Sequence, residues 1–583
     1  MKIDAETTLP ALAEEGLEKC AGGVAVSCRY GREWRDTTVA DFRTAVAEIA
    51  LGLHARGVRH GDRVCLHSEN RTEWLLADLA ILSIGAVSVP IYATQPADQI
   101  RYILQHSGAK VLFVSTDGLW QSSGAFIGDF PGLDVVGFDG AWHGQMTPLA
   151  DFRKEGAHLA KAEPGLFERL RAAVMPDDLA SITYTSGTTG VPKGVMLTHR
   201  NLAFSILASQ TRAFSARGGK PGDRMLSFLP YAHIYEHGVI YSYLQLGAHV
   251  FIVPNTDNLL EDIQHVRPVH FATVPRLLEK VYGAIHTRVG AARGVKGALG
   301  RWALKVAHRY DVEKGGGLAH RIADRLVFSK MRATMGGNIR GISSGGAALS
   351  AEIARFFIAL GIPVGEGYGL TETSPVITTY DPERLRPGSV GLPLPQVEVQ
   401  IAPDGEILVR GPNVMQGYYR MPDQTAEVMT EDGWFHTGDI GHMDAEGFLY
   451  ITDRKKELFK LSTGKYVAPA PIENRLICHP VIEQVVIVGN GQKFTGALIF
   501  PLVEAIRDRL GHEPSPDEVR AILQKAVDEA NAGLPPWEQV KKFEVLGEPM
   551  SVETGEYTPT LKRKRAQIAT RRHAEIARIY KGA

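Results

Sequence analysis

The stretch Ser181 to His199 reads SITYTSGTTGVPKGVMLTH. Ser181 to Tyr184 and Val195 to Leu197 are short apolar runs with strand character. Between them Thr185, Ser186, Thr188 and Thr189 are interleaved with Gly187 and Gly190, and Lys193 and Gly194 follow. Glycines let backbone N–H groups face a ligand without a Cβ in the way, and four hydroxyls with one ammonium add donors and positive charge. A loop of this kind holds phosphate. It is not a Walker A loop, because Lys193 follows Gly190 by three residues with Pro192 between them, and no Gly-Lys-Ser/Thr occurs. A flexible linker has a similar composition, but linkers are not bracketed by tight apolar strands.

Outward from this loop the pattern alternates. N-terminal to it, helical periodicity at Asp41 to Arg56, Glu73 to Ile84 and Ala97 to His106 separates strand-like runs at Arg63 to His67, Val87 to Tyr92 and Lys110 to Val114. Strands joined by single helices predict parallel βαβ units, a doubly wound α/β sheet. Residues 115 to 175 read as irregular. The theme resumes with a helix from Asn201 and strands at Val250 to Val253 and Val269 to Thr273.

Residues 286 to 314 set Arg288, Arg293, Lys296, Arg301, Lys305 and Arg309 against an apolar stripe of Leu299, Trp302, Val306 and Tyr310. This can suit peripheral contact with an anionic membrane, but a surface helix packing its stripe on the body is the commoner source of the pattern. From Gly388 the chain turns to short β-runs such as Val397 to Ile401, Ile407 to Arg410 and Phe448 to Thr452. Beyond Asp453-Arg454-Lys455-Lys456 come strand-like runs at Ile482 to Val488 and Gly496 to Phe500. A helix then opens with the capping box Ser515-Pro516-Asp517-Glu518. The expected division is residues 1–452 and 453–583, with a hinge at 453–456.

The 583 residues exceed one core, and 64 Lys and Arg against 65 Asp and Glu give no charge excess that would attract nucleic acid. Four cysteines without a CxxC pair indicate a reducing compartment, and the acidic N-terminus lacks the basic and apolar segments of an export signal, so a cytoplasmic protein is expected. Trp74 to Ala93 is broken by Asp78, Gly85 and Pro90 and reads as a buried helix turning into a strand, not a membrane span. Asn70-Arg71-Thr72 is a formal glycosylation sequon without meaning in that compartment.

Four further segments complete a pattern: GEGYGLTET at 365–373, GWFHTGD at 433–439, DRKK at 453–456 and TPTLK at 558–562. In this order and spacing, with the phosphate-type loop, they resemble the adenylate-forming superfamily of acyl-CoA synthetases, peptide synthetase adenylation domains and luciferases. LPYAHIY at 229–235, VPRLLEKVY at 274–282, the extra basic segment and GKYVAP at 464–469 are similar to the bacterial long-chain fatty acyl-CoA synthetases.

The resemblance implies an α/β protein with a large N-terminal domain of two doubly wound subdomains plus a distorted β-barrel, and a small mobile α+β C-terminal domain. It implies ATP, Mg²⁺ and coenzyme A as partners of a fatty acid. Thr185, Ser186, Gly187, Thr188, Thr189, Gly190 and Lys193 would grip the β- and γ-phosphates, Thr371 would contact the α-phosphate, and Glu372 would hold Mg²⁺. Tyr368 and Gly369 would wall the adenine on one side and Gly345, Gly346 and Ala347 on the other. Asp439 and Arg454 would bind the ribose, and His233 would lie near the acyl site. Lys562 would bridge the α-phosphate and the carboxylate, while rotation about Lys456 would bring in the loop around Gly464 for the thiol step. Related ligases that stop at acyl-AMP, or that take medium-chain or aryl acids, share these motifs.

Two other signatures occur. Gly341-Ile342-Ser343-Ser344-Gly345 fits the nucleophile elbow of α/β-hydrolases, with Ser343 as nucleophile, and His233-Ile234-Tyr235-Glu236-His237 fits an HxxEH zinc pattern.

Overall fold

The computed structural model describes residues 3, 6–20, 23–139, 146–185, 191–213, 219–558 and 563–581. Two large sheets dominate. In one, strands Val364–Tyr368, Gly341–Ser344, His270–Thr273, Arg224–Ser227, His249–Ile252 and Val24–Tyr30 run parallel as neighbours. Antiparallel additions extend both edges, and Glu33–Thr38 closes one of them. In the other, Leu179–Thr185, Val87–Ile91, Arg63–His67, Val111–Val114 and Asp134–Gly137 run parallel, and Lys193–Thr198 folds back antiparallel on the first of these.

The expected helices and strands between Thr38 and Val114 are all present, within a residue or two of the periodicity. Their parallel strands are apolar without alternation because both sheet faces are covered. Every residue of the helix Thr72–Ser83 except Glu73 is buried, and it runs into the strand Val87–Ile91. Among the described residues no helix is long and apolar enough to cross a membrane. The reading of residues 115 to 175 as irregular is corrected: helices Asp117–Ile127, Leu149–Ala162 and Leu166–Ala172 and the strand Asp134–Gly137 continue the winding. The helix Leu149–Ala162 has a polar outer face and buries only Leu149, Phe152 and Gly156, which masks its period in the sequence.

Asn70 joins the two sheets. Its amide donates to the Leu229 carbonyl at 2.6 Å and accepts from the Tyr231 backbone N–H at 2.9 Å. A four-stranded antiparallel sheet, Glu398–Ile401, Glu406–Arg410, Phe435–Met443 and Leu449–Arg454, stands where the distorted barrel was expected. The smaller C-terminal unit is α+β. Its sheet of Ile482–Val488, Thr495–Pro501 and Val540–Val545 packs on helices Pro469–Ile477 and Pro516–Asn531 around its own core. The capping box forms as read: the Ser515 N–H donates to Glu518 Oε2 at 2.9 Å, and Ser515 Oγ accepts from the Glu518 N–H. In the sequence 286 to 314, Trp302, Val306 and Tyr310 pack on the core of the first sheet, so that stripe is a packing face.

Candidate active site

Two corners meet along the loop 369–371. The first is built on hairpin geometry. Leu179–Thr185 and Lys193–Thr198 pair so that Thr185 stands opposite Lys193, closing the base of the glycine- and hydroxyl-rich loop. Ser186, Gly187, Thr188, Thr189 and Gly190 themselves lie outside the described residues. The strand Lys193–Thr198 is paired on its other edge by the two-residue strand Gly417–Tyr418. This register puts the Tyr418 ring under the Lys193 ammonium, 4.7 Å from the ring centroid, and the Tyr418 hydroxyl donates to Glu372 Oε1 at 2.9 Å. Burial, followed by the neighbouring Glu372 charge, drives the Tyr418 phenol far above its ordinary range, so it stays a donor. Glu372 is central in the 3₁₀ turn Thr371–Thr373, and its backbone carbonyl accepts from the Met415 N–H at 2.9 Å. Thr371 and Glu372 are both half-buried.

The second corner carries Tyr368, the last residue of the strand Val364–Tyr368. Its hydroxyl donates to Asp439 Oδ2 at 2.6 Å, and Arg454 Nε approaches Asp439 Oδ1 at 3.0 Å. Asp439 and Arg454 are cross-strand partners, which holds the pair in register. The Asp439 carboxylate is buried while the Arg454 side chain is half exposed, and Asp439 pushes the guanidinium above its usual range. Gly345, Gly346 and Ala347 follow the strand Gly341–Ser344. The Gly345 N–H donates to the Thr273 carbonyl at 3.1 Å, and a Cβ on Gly345 would come 3.0 Å from the Tyr235 ring. At Gly369 a Cβ would fall 1.7 Å from the Pro375 carbonyl oxygen, so only glycine lets this loop close.

His233 caps the helix Ile234–Gln245, its Nδ1 accepting from the Tyr235 N–H at 3.1 Å. The zinc reading is corrected by these contacts. His237 is turned away to Asp78 at 2.8 Å, Glu236 accepts from Ser227, and no group of three metal-binding side chains occurs among the described residues. The nucleophile-elbow reading also fails on geometry. Ser343 sits inside a strand paired on both sides, not on a strand-to-helix turn. Its Oγ lies 2.9 Å from His270 Nε2 and 3.3 Å from the Tyr380 hydroxyl, and burial lowers the His270 imidazole to about 3.

Lys456 is exposed just past the strand Leu449–Arg454, and Gly464, at φ +86°, turns the hairpin between Phe459–Lys460 and Tyr466–Val467. Lys562 lies outside the described residues. Tyr557 and Arg563, which flank it, are bridged to each other, and Arg563 reaches the buried Glu473 at 3.2 Å. Tyr418 was not singled out by its sequence. The signal for it is weak: an aromatic after a glycine in a two-residue strand without periodicity.

A family model described as AMP-binding enzyme matches residues 14–419, and one described as AMP-binding enzyme C-terminal domain matches residues 456–583. The long-chain-fatty-acid-CoA ligase FadD15 of Mycobacterium bovis is 39% identical over 566 residues, 94% of this chain and 92% of that protein. Long-chain-fatty-acid-CoA ligase 1 of Homo sapiens is 32% identical over 548 residues, 88% of this chain and 78% of that protein. Among solved structures, the anthranilate CoA ligase AuaEII in complex with anthranoyl-AMP superposes with a TM-score of 0.75 at 21% identity, covering 99% of this chain and 100% of that one. The A domain of the carboxylic acid reductase of Segniliparus rugosus, in complex with AMP and a co-purified carboxylic acid, gives 0.76 at 21%, covering 98% and 94%. These structures share the fold, and the family models together with the relatives above 30% identity place the sequence: the chain belongs to the AMP-binding enzyme family.

Proposed function

We propose that the protein is an ATP-dependent long-chain fatty acid:CoA ligase. The reading is carried by the joining of the Lys193–Tyr418–Glu372 corner to the Tyr368–Asp439–Arg454 corner on one rim, in a chain similar along nearly its whole length to long-chain-fatty-acid-CoA ligases.

The first half-reaction joins the acid to AMP. A fatty acid, with a carboxyl pKa near the reference of about 4, is ionised at pH 7 and needs no general base. Its oxygen forms a bond to the α-phosphorus as the bond to the pyrophosphate oxygen breaks. What the protein must supply is placement and positive charge. Thr185 and Lys193, with the loop from Ser186 to Gly190, take the β- and γ-phosphates, and Thr371 takes the α-phosphate. Lys562 offsets charge between the α-phosphate and the entering carboxylate. Tyr368 and Gly369 face Gly345, Gly346 and Ala347 across the adenine, and Asp439 with Arg454 takes the ribose hydroxyls. His233 orients the helix beside the acyl group.

Glu372 suits Mg²⁺. It is one half-buried carboxylate held by Tyr418, and an ion there would draw its other ligands from phosphate oxygens and water, the usual magnesium shell. Bound there, the ion would neutralise phosphate charge. In the second half-reaction the thiol sulfur of coenzyme A bonds to the acyl carbon and AMP leaves. We assign that step to a rotation of residues 453–583 about a hinge at 453–456, which withdraws Lys562 and presents Gly464. ATP–pyrophosphate exchange driven by long-chain acids tests the reading, and exchange driven only by short or aryl acids would overturn it.

A further inference from the structure

The sequon residue Asn70 and His237, the last residue of the HxxEH stretch, belong to one set of contacts. Asn70, Trp74 and Asp78 recur every four residues, at the entry to and along the helix Thr72–Ser83, and none is more than 4% exposed. Each touches the segment from Leu229 to Tyr241. Asn70 holds its start, donating to the Leu229 carbonyl and accepting from the Tyr231 N–H. The Trp74 ring lies 5.2 Å from the Tyr231 ring and 5.3 Å from the His237 ring. Asp78 Oδ2 accepts from His237 Nε2 and from the Tyr241 hydroxyl, each at 2.8 Å, and Oδ1 accepts from Ser88 on the strand Val87–Ile91 at 2.5 Å. His237 and Tyr241 are also four residues apart, so one helical stripe meets successive turns of the facing helix Ile234–Gln245.

A carboxylate this enclosed adds little to stability. Burial by itself would push Asp78 up, and His237 with the three hydrogen bonds holds it below the ordinary carboxylate range instead. An apolar set of similar volume would pack these elements at least as stably. What it would lack is direction. Hydrogen bonds to a fixed carboxylate set both the rotation of the helix Ile234–Gln245 about its axis and its position along that axis.

That helix carries at its N-terminus the residues assigned above to the acyl site. His237 follows His233 by one turn, and its N–H donates to the His233 carbonyl at 3.0 Å. Tyr235 lies between them. Its hydroxyl donates to the Ser343 carbonyl at 3.1 Å, and its ring is what a Cβ on Gly345 would meet. A turn of the helix would therefore displace His233 and shift Tyr235 against residues 343–345 together.

We infer that Asp78, backed by Asn70 and Trp74, is a positioning residue: through His237 and Tyr241 it fixes where the acid lies relative to the adenine wall. The inference rests on the ligase reading and names the residues that set this placement from outside the substrate pocket.

The test is steady-state pyrophosphate release driven by a long-chain acid in Asp78→Asn, with KM for ATP measured alongside. The amide keeps the shape, gives up the charge and offers one oxygen to three donors. The expected result is a fall in kcat on the order of a hundredfold, as for a displacement of about 1 Å at the reacting atoms, with KM for ATP at the parent's value. Tyr241→Phe removes one donor and shows the same direction to a lesser degree. The apolar set D78L/S88A/H237L/Y241F, which covers the case of a single variant that fails to fold, melts at or above the parent and still loses kcat. A purely structural role would restore kcat with stability in that set. Such recovery, parent-like kcat in folded Asp78→Asn, or a loss carried by KM for ATP overturns the proposal and leaves the ligase reading standing. A parent that releases no pyrophosphate with any acid overturns both.

Discussion

Tyr418 stands between the charges of Lys193 and Glu372, its hydroxyl donating to Glu372 Oε1 at 2.9 Å and its ring 4.7 Å beneath the Lys193 ammonium. Without it, Lys193 and Glu372 would be free to pair with each other, and in the proposed reaction that would take the ammonium from phosphate and the carboxylate from a cation. A two-residue strand does this work because its antiparallel pairing to Lys193–Thr198 sets the ring's position.

Tyr418→Phe keeps the ring and removes the hydroxyl. A lost hydrogen bond to a charged acceptor is worth about 1.5–3 kcal/mol, and solvent at this half-buried carboxylate reduces it, so the Mg²⁺ concentration for half-maximal pyrophosphate release should rise about fivefold. Tyr418→Ala should also raise KM for ATP, since Lys193 loses its platform. A magnesium titration identical to the parent's would remove Tyr418 from the site.

Lys562→Ala should slow acyl-AMP formation by about 10² to 10³ while leaving thioester formation from supplied acyl-AMP intact. Equal loss in both half-reactions would mean that Lys562 serves the fold or coenzyme A instead.

Ser343→Ala should leave ligase activity at the parent's level, because the hydroxyl is enclosed between His270 and Tyr380 inside a paired strand. Loss of turnover with unchanged stability would reopen a nucleophilic role.

Glu366, on the strand Val364–Tyr368, is buried, and burial raises its carboxyl to about 8. Its neutral form is therefore the folded form. This contribution to stability is complete below the ordinary value of 4.5 and is lost as pH rises through about 8. In that window unfolding releases a proton, at up to about 1.4 kcal/mol per pH unit. Glu366→Gln should flatten the fall in melting temperature between about pH 5 and pH 8. An unaltered slope would mean that the carboxyl is ionised in the fold.

Glu473 behaves oppositely. Arg565 grips it through two bonds of 2.8 Å, Arg563 adds a third contact, and these arginines outweigh its burial, lowering its carboxyl to about 2. Its contribution is present above 4.5 and lost as pH falls toward 2. Glu473→Gln takes the buried carboxylate from the half-buried Arg563 and Arg565, of which only Arg565, among the described residues, keeps a second partner, Glu457 at 3.0 Å, and should cost about 3 kcal/mol at neutral pH, seen as early melting. Parent-like stability at pH 7 would contradict the pairing.

The sheet order around the phosphate loop was legible because alternating single helices and apolar runs leave few topologies, and Thr38 to Val114 matched closely. The segment 115 to 175 was not, since its helices bury only a few residues each and so show little period. Tyr368, Asp439, Arg454 and Glu372 were read from motifs, and the fold does bring them to one rim. What sequence order could not convey was their spacing: Tyr418 is 46 residues from Glu372 along the chain, and only the pairing of Gly417–Tyr418 with Lys193–Thr198 makes them neighbours. The HxxEH and GxSxG matches misled for the same reason, because a local pattern does not say where side chains point.

The most direct test of the account is pyrophosphate release from ATP with a series of carboxylic acids, short, long and aromatic, each with and without coenzyme A. The account predicts release driven by long-chain acids and sustained by coenzyme A, with acyl-CoA and AMP formed in equal amounts. A single burst indifferent to coenzyme A, or release driven only by short or aromatic acids, would contradict it.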